Sequence, residues 1–155
     1  MPDPILKTTA VLLRGEGAAR EVLVFLHPDV DGSGTSVQLP ACTIDYGEDP
    51  ADAALRELIE ETGVMGAEVR ALLGILDEPA PESYSADTRT HAPLPPRRRW
   101  VYHLEATLPP PDRWTSTCDC GAAIECYWLP LASAELHPLQ QPWLDLARSA
   151  LGGAS

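Results

Sequence analysis

Glu57, Glu60 and Glu61 stand at i, i+3 and i+4 within Arg56-Glu57-Leu58-Ile59-Glu60-Glu61-Thr62-Gly63-Val64. On a helix that spacing gathers three carboxylates within an arc of about 100°. Like charges so placed repel one another. They also fall in the last turn, where the helix dipole favours cations. A hard divalent cation such as Mg²⁺, which takes carboxylate oxygens, removes both penalties. The chemistry these residues could do is therefore to hold a metal ion. A solvated acidic face is the usual fate of a charge run, and the three glutamates alone leave both readings open.

The helix that must present them is specified locally. Asp49 suits the N-cap, Pro50 the first helical position and Gly63 the position after the last turn. Ala51, Ala54, Leu55 and Leu58 recur as a core-facing stripe, with the glutamates expected beside it rather than on it. Arg56 is placed to pair with a carboxylate such as Glu48 and so hold the acidic set in position.

The wider spacing decides between the two readings. Residues 42–64 resemble the signature of the Nudix family, G-x5-E-x7-R-E-U-x-E-E-x-G-U, with U a bulky aliphatic residue. Glu48 takes the first glutamate, and Arg56, Glu57, Leu58, Glu60, Glu61, Gly63 and Val64 fill the later positions. The lead-in Gln38-Leu39-Pro40-Ala41 and the pair Gly47-Glu48 are similar as well. One fixed position departs: Cys42 stands where the signature has glycine, and a cysteine takes positive φ less freely.

The resemblance implies an α/β fold, an α/β/α sandwich with a mixed sheet and the motif in a loop-helix-loop. It implies Mg²⁺ or Mn²⁺ held by Glu57, Glu60 and Glu61 and by the backbone carbonyl of Ala41, with Arg56 and Glu48 orienting the set. The implied activity is hydrolysis of the diphosphate linkage of a nucleoside diphosphate derivative or nucleoside triphosphate, with Glu61 or a loop acid accepting the proton. The partner is then a small phosphorylated nucleotide-type substrate, and a homodimer is an assembly common in the resembling family. The alternative is a non-catalytic Nudix-like module that binds a nucleotide or ADP-ribose; Cys42 keeps it open, while the intact glutamates favour the enzyme.

The rest of the chain sets bounds. Its 155 residues fit one domain, 1–155, with 45% hydrophobic residues to build a core. A net charge of -12 argues against a dedicated binder of long nucleic acid, which normally presents a basic face. It leaves small phosphorylated substrates open, because a bound cation bridges two anions. No signal-peptide pattern or long apolar run is present, so a cytoplasmic protein without a membrane span is expected. The four cysteines, Cys42, Cys118, Cys120 and Cys126, are then expected as reduced thiols. Their spacing is not that of a paired zinc site, and no histidine is near them in sequence.

Strands are expected at Thr8–Leu13, Glu21–Leu26, Ser36–Leu39, Glu68–Leu76 with a bulge at Gly74, Arg98–Leu108 and Glu125–Leu129. Helices are expected at Ala132–Leu136 and Pro142–Leu151, the second with Trp143, Leu144, Ala147 and Leu151 on its core face. Asp77 to Pro96 reads as a long, mobile loop. Asp29-Val30-Asp31-Gly32-Ser33-Gly34 reads as a turn, since an EF-hand needs glutamate where Pro40 stands. Arg97, Arg98 and Arg99 read as solvated strand-edge charge, with one of them a candidate for phosphate contact. Glu125, Glu78, Glu82 and Asp87 are rival candidates for a further acid near the metal. Tyr46, Tyr84 and Trp100 are rings that could stack on a base, and His91 and His103 have no partner identified by sequence.

Overall fold

The computed structural model describes residues 3–28, 33–80 and 94–151. Eight strands form one mixed sheet: β1 (Ile5–Arg14), β2 (Glu21–Pro28), β3 (Thr35–Gln38), β4 (Ala41–Thr43), β5 (Ala67–Glu78), β6 (Arg97–Ala106), β7 (Arg113–Thr117) and β8 (Ala123–Pro130). Two helices, α1 (Pro50–Thr62) and α2 (Gln141–Leu151), complete it. The strand order is β5-β6-β1-β2-β8-β7, with β4 beside β1 and β3 beside β2. Among the described strands only β1 and β6 run parallel; the other pairings are antiparallel.

Alternation along the central strands splits the core into two layers. Ala10, Leu12, Leu23, Phe25 and Leu104 pack against Ala54 and Leu58 of α1. Val11, Leu13, Val22, Val24 and Val101 pack against Trp143, Leu144 and Ala147 of α2. This is the α/β/α sandwich that the motif implied. Among the described residues no helix is long and apolar enough to cross a membrane.

The sheet opens where the motif begins. β1 and β2 pair only at Leu13↔Val22 and Arg14↔Glu21. Beyond that point β1 pairs with β4 through Lys7, Thr8 and Thr9, while β2 pairs with β3 from Phe25 to Pro28. The chain leaves this fork through β4 and turns straight into α1, so the helix N-terminus is anchored over the gap. Thr8 Oγ1 donates to the Pro50 carbonyl at 3.1 Å, which ties the helix start to β1.

Several sequence expectations need correction. Ala132–Leu136 is a turn, not a helix: Ser133 and Ala134 N–H both return to the Pro130 carbonyl, and Arg148 donates to the carbonyls of Leu131 and Ala134. β4 and β7 were not anticipated, and Asp77 and Glu78, assigned to the loop, extend β5. Residues 81–93, with Glu82, Tyr84, Asp87 and His91, lie outside the described residues, as do 29–32. The β5–β6 register shifts between Leu72 and Gly74, as the glycine suggested. A Cβ on Gly74 would sit 2.9 Å from Leu146, so this glycine also admits α2.

Arg97–Arg99 do not lie at an edge, because β5 covers the outer side of β6. Arg99 is 3% exposed, pairs with Glu78 at 3.1 Å and stacks 3.7 Å above the Trp143 ring. Burial lowers its pKa to about 10, so it stays charged at neutral pH. Glu78 also accepts from Trp143 Nε1 at 2.6 Å, which makes it the anchor of this side of the core. Removing one partner of a buried pair strands the other charge, at a cost of about 3–5 kcal/mol. Glu78→Ala should therefore lower unfolding stability by about 3 kcal/mol in urea denaturation; a loss below about 1 kcal/mol, the scale of an exposed pair, would contradict this account.

Candidate active site

Asp49 caps α1 by accepting from Ala51 N–H at 2.8 Å, Pro50 occupies its first turn, and Gly63 closes it at φ 74° with its N–H on the Ile59 carbonyl. Glycine takes that left-handed conformation without Cβ strain. At the far end Trp114 Nε1 of β7 donates to the Thr62 carbonyl at 2.8 Å. One of the helix's unpaired terminal carbonyls is thereby satisfied, and the β7–β8 hairpin is drawn against the helix.

The buried face of α1 comprises Ala53, Ala54, Glu57, Leu58 and Thr62. The expected stripe is partly right: Ala54 and Leu58 lie in the core, while Ala51 and Leu55 are half-buried at its margin. The placement of the glutamates beside the stripe is corrected for Glu57, which is 3% exposed and faces inward. Glu60 is exposed and Glu61 half-buried. The i, i+3, i+4 spacing thus spreads the carboxylates from the interior to the surface.

Asp119 joins them. It lies in the turn between β7 and β8, and oxygens of Glu57, Glu60 and Asp119 come within 4.8 Å of one another. Sequence reasoning missed this residue; its only trace was a Cys118-Asp119-Cys120-Gly121 turn read for its thiols. Burial, then the hydrogen bond and charge of Glu61, push Glu57 up to about 9. Burial also raises Glu61, with Asp119 and Glu60 adding to the effect. The hydrogen bond with Glu57 acts the other way on Glu61, lowering it. Glu61 Oε2 is buried and has no hydrogen-bond partner.

Arg56 organises the outer rim. Its Nε and Nη2 reach the two Glu48 oxygens, both at 2.9 Å, and Nη1 reaches Glu60 at 3.3 Å. The hydrogen bond from Arg56 holds Glu48 below the usual carboxylate range, and the same contact raises Arg56. Glu48 also accepts from the Asp45 N–H at 3.0 Å, fixing the loop before the helix. Ala41 opens β4 in register with Thr9, and Cys42 follows opposite Thr8. A strand position does not call for the left-handed backbone, so cysteine can stand in place of glycine here. The Cys42 thiol lies against Arg56 Nη2 at 3.6 Å, and burial, then the neighbouring Glu57, pushes it up to about 12.

The other candidates lie elsewhere. Glu125 pairs with Arg113 and alternates with Ile124 and Cys126, which face α1, so it belongs to the opposite side of the sheet. Glu78 is committed to Arg99 and Trp143. Tyr46 is fully exposed, and Trp100 packs at the margin of the α1 layer. His103 is buried, with Glu105 3.8 Å away. A groove of about 480 Å³ flanks the end of α1 between Val64, Leu108 and Trp114, away from the carboxylates.

Four carboxylates crowd one end of this helix, and among the described residues only Glu60 of the four has an ion-pair partner. An oxygen-only donor set with an orphaned buried oxygen fits a hard divalent cation. The family model described as NUDIX domain matches residues 4–147. The chain belongs to the Nudix family. Over 131 residues it is 32% identical to an RNA pyrophosphohydrolase of Brucella ovis, an alignment covering 71% of this chain and 64% of that protein. This chain therefore spans about two thirds or less of the length of the curated relatives it matches. Similar solved structures include a NUDIX hydrolase from Nitrosomonas europaea, at 18% identity and TM-score 0.63, covering 95% of this chain and 90% of that one. The NUDIX domain of Shewanella oneidensis NrtR, complexed with ADP ribose, is 20% identical at TM-score 0.63, covering 96% and 89%. Family members typically depend on a divalent metal, and the oxygen set on this Nudix helix suits one.

Crowded carboxylates repel when no cation is present. Asp119→Asn should therefore melt higher than the parent in EDTA, by about 2–4 °C for each kcal/mol of repulsion relieved. Added Mg²⁺ should raise the parent's melting temperature more than the variant's, by mass action on the folded state. A variant that melts lower in EDTA would mean that Asp119 is held by attraction, contrary to this description.

Proposed function

We propose that this Nudix protein is a metal-dependent pyrophosphohydrolase acting on the diphosphate linkage of a nucleoside diphosphate derivative or a nucleoside triphosphate. The observation that carries the reading is the convergence of Glu57, Glu60 and Asp119 within 4.8 Å, beside a buried Glu61 oxygen with no hydrogen-bond partner among the described residues. Glu57, Glu60 and Glu61 hold Mg²⁺ or Mn²⁺, and the backbone carbonyl of Ala41 is the further oxygen that the family resemblance implies. An ion held by these residues would supply charge to offset phosphate and would lower the pKa of a bound water. Arg56 keeps Glu48 and Glu60 in place by its fork of hydrogen bonds. Glu61 accepts the proton of the attacking water, its free oxygen being the open acceptor. Asp119 faces the same centre from the opposite strand turn and adds negative charge that keeps a cation in register.

The intact carboxylate set supports a hydrolase over a binding module, because binding a nucleotide does not require four crowded acids. The name of the Brucella relative makes a 5′-triphosphorylated RNA end one substrate to test beside nucleotides. The net charge of -12 favours recognition of a short end over long RNA.

The experiment is phosphate or pyrophosphate release with Mg²⁺ and Mn²⁺, over nucleoside diphosphate derivatives, triphosphates and a short 5′-triphosphorylated RNA. EDTA should abolish turnover. Glu60→Gln and Glu61→Gln should each lower it by about 10²–10⁴-fold, with circular dichroism unchanged and no fall in melting temperature. Collapse of the fold in both variants would make the acidic face structural. Tight binding of one compound without turnover would favour the binding module.

A further inference from the structure

The turn that delivers Asp119 carries a second set of donors. Cys118 and Cys120 flank it, and His27 at the end of β2 approaches from beside them. One ligand atom of each of His27, Cys118 and Cys120 lies within 4.8 Å of the other two, with His27 Nε2 3.3 Å from Cys120 Sγ. The absence of a histidine near these cysteines in sequence is thus overturned in space.

The imidazole is oriented for this contact. Its Nδ1 lies 2.7 Å from the Pro28 carbonyl oxygen. A carbonyl only accepts, so Nδ1 carries the hydrogen and the Nε2 lone pair of the neutral ring faces the sulfurs. Metal-binding histidines are commonly held this way, with one nitrogen on a carbonyl and the other presented to the ion. Two thiolates and an imidazole are softer donors than the all-oxygen set on α1, so the two clusters select different metals. Cys118 is buried, while Cys120 is exposed and His27 half-exposed, so an ion can reach the cluster from solvent.

We propose that, with both thiols reduced, His27, Cys118 and Cys120 bind one Zn²⁺ through Nε2 and two sulfurs, leaving a fourth position open. Three protein ligands of this kind are an established zinc coordination set. In this structure the two sulfurs are joined as a disulfide, contrary to the reduced thiols expected from sequence. The cross-link and the ion are alternatives at one place. A dithiol reductant supplies two electrons and two protons, breaks the S–S bond to leave two protein thiols, and closes its own disulfide. Zn²⁺ then displaces the two thiol protons to solvent. Either state cross-links the β7–β8 turn; the zinc state also fastens it to the end of β2. The site shares no ligand with the carboxylates.

The test takes the full chain, reduced with a dithiol that is then removed without oxygen, and titrates it with Co²⁺ as a spectroscopic stand-in for Zn²⁺. The expected result is a thiolate-to-cobalt charge-transfer band that saturates at one equivalent and is abolished by Zn²⁺. The band should be absent in Cys120→Ser. In His27→Ala the cobalt affinity should fall roughly tenfold or more, the range that even an outer-shell change costs. Glu57→Gln should keep the band, which separates this outcome from the fate of the hydrolase reading. Circular dichroism of each variant checks that it folds, and the exposed Cys120 tolerates serine. No band in the reduced parent overturns the proposal. So does a band that survives in the doubly substituted C118S/C120S chain, since only Cys42 and Cys126 remain there, or an unchanged affinity in His27→Ala.

Discussion

Glu57 is the constraint on which the remaining structure turns. It is a carboxylate packed inward on a helix, with Glu60, Glu61 and Asp119 around it and no ion pair of its own among the described residues. Burial and like charge both oppose its ionised form. A helix with that burden at its C-terminal end needs holding from elsewhere. The Asp49 cap, the Thr8 bond to the Pro50 carbonyl and the Trp114 bond to the Thr62 carbonyl supply the hold at the two ends. The aliphatic contact of Ala54 and Leu58 supplies it along the middle. None of these contacts is chemical in role; together they keep an unfavourable charge arrangement in a fixed geometry.

The open sheet serves the same end. If β1 and β2 paired along their whole length, the segment from β4 into α1 would have no place to enter the sheet. Pairing stops after Leu13 and Arg14, and β4 and β3 complete the hydrogen bonding of the separated strands. Backbone groups in the fork are thus satisfied without closing it, as buried amides require. The motif loop runs out through that fork, where Arg56 clamps Glu48 and Glu48 in turn accepts the Asp45 amide.

The helix was legible because its signals are local. Asp49, Pro50, Gly63 and the spacing of the glutamates each act within a few residues of their position. How far the helix is rolled on the sheet is not local: the buried positions are Ala53, Glu57 and Thr62 as well as Ala54 and Leu58, and a stripe read from periodicity cannot distinguish that rotation. Asp119 was illegible for a stronger reason. It reaches the site through the pairing of β7 with β8, and β7 is a short polar strand, Arg113-Trp114-Thr115-Ser116-Thr117, whose apolar anchor is a single tryptophan. Ala132–Leu136 misled in the other direction. Its composition favours a helix, but Pro138 soon follows, and the free carbonyls of the turn are taken by Arg148 from α2. The place of Arg97, Arg98 and Arg99 within the sheet, rather than at its edge, depended on β5 lying outside them.

Charge placement bears on how a strongly acidic chain would act on a polyanion if the proposed function holds. Several of the chain's arginines are engaged by its own carboxylates. Arg99 is buried between Glu78 and the Trp143 ring, Arg98 pairs with Asp77, and Arg56 is occupied by Glu48 and Glu60. What remains at the carboxylate cluster is a negative field that would repel phosphate. A divalent cation inverts that field locally and leaves the rest of the surface acidic. On that reading metal dependence and net charge are one property: the glutamates would repel phosphate until they had captured an ion that attracts it, and a net charge of -12 would still oppose a long polyanion.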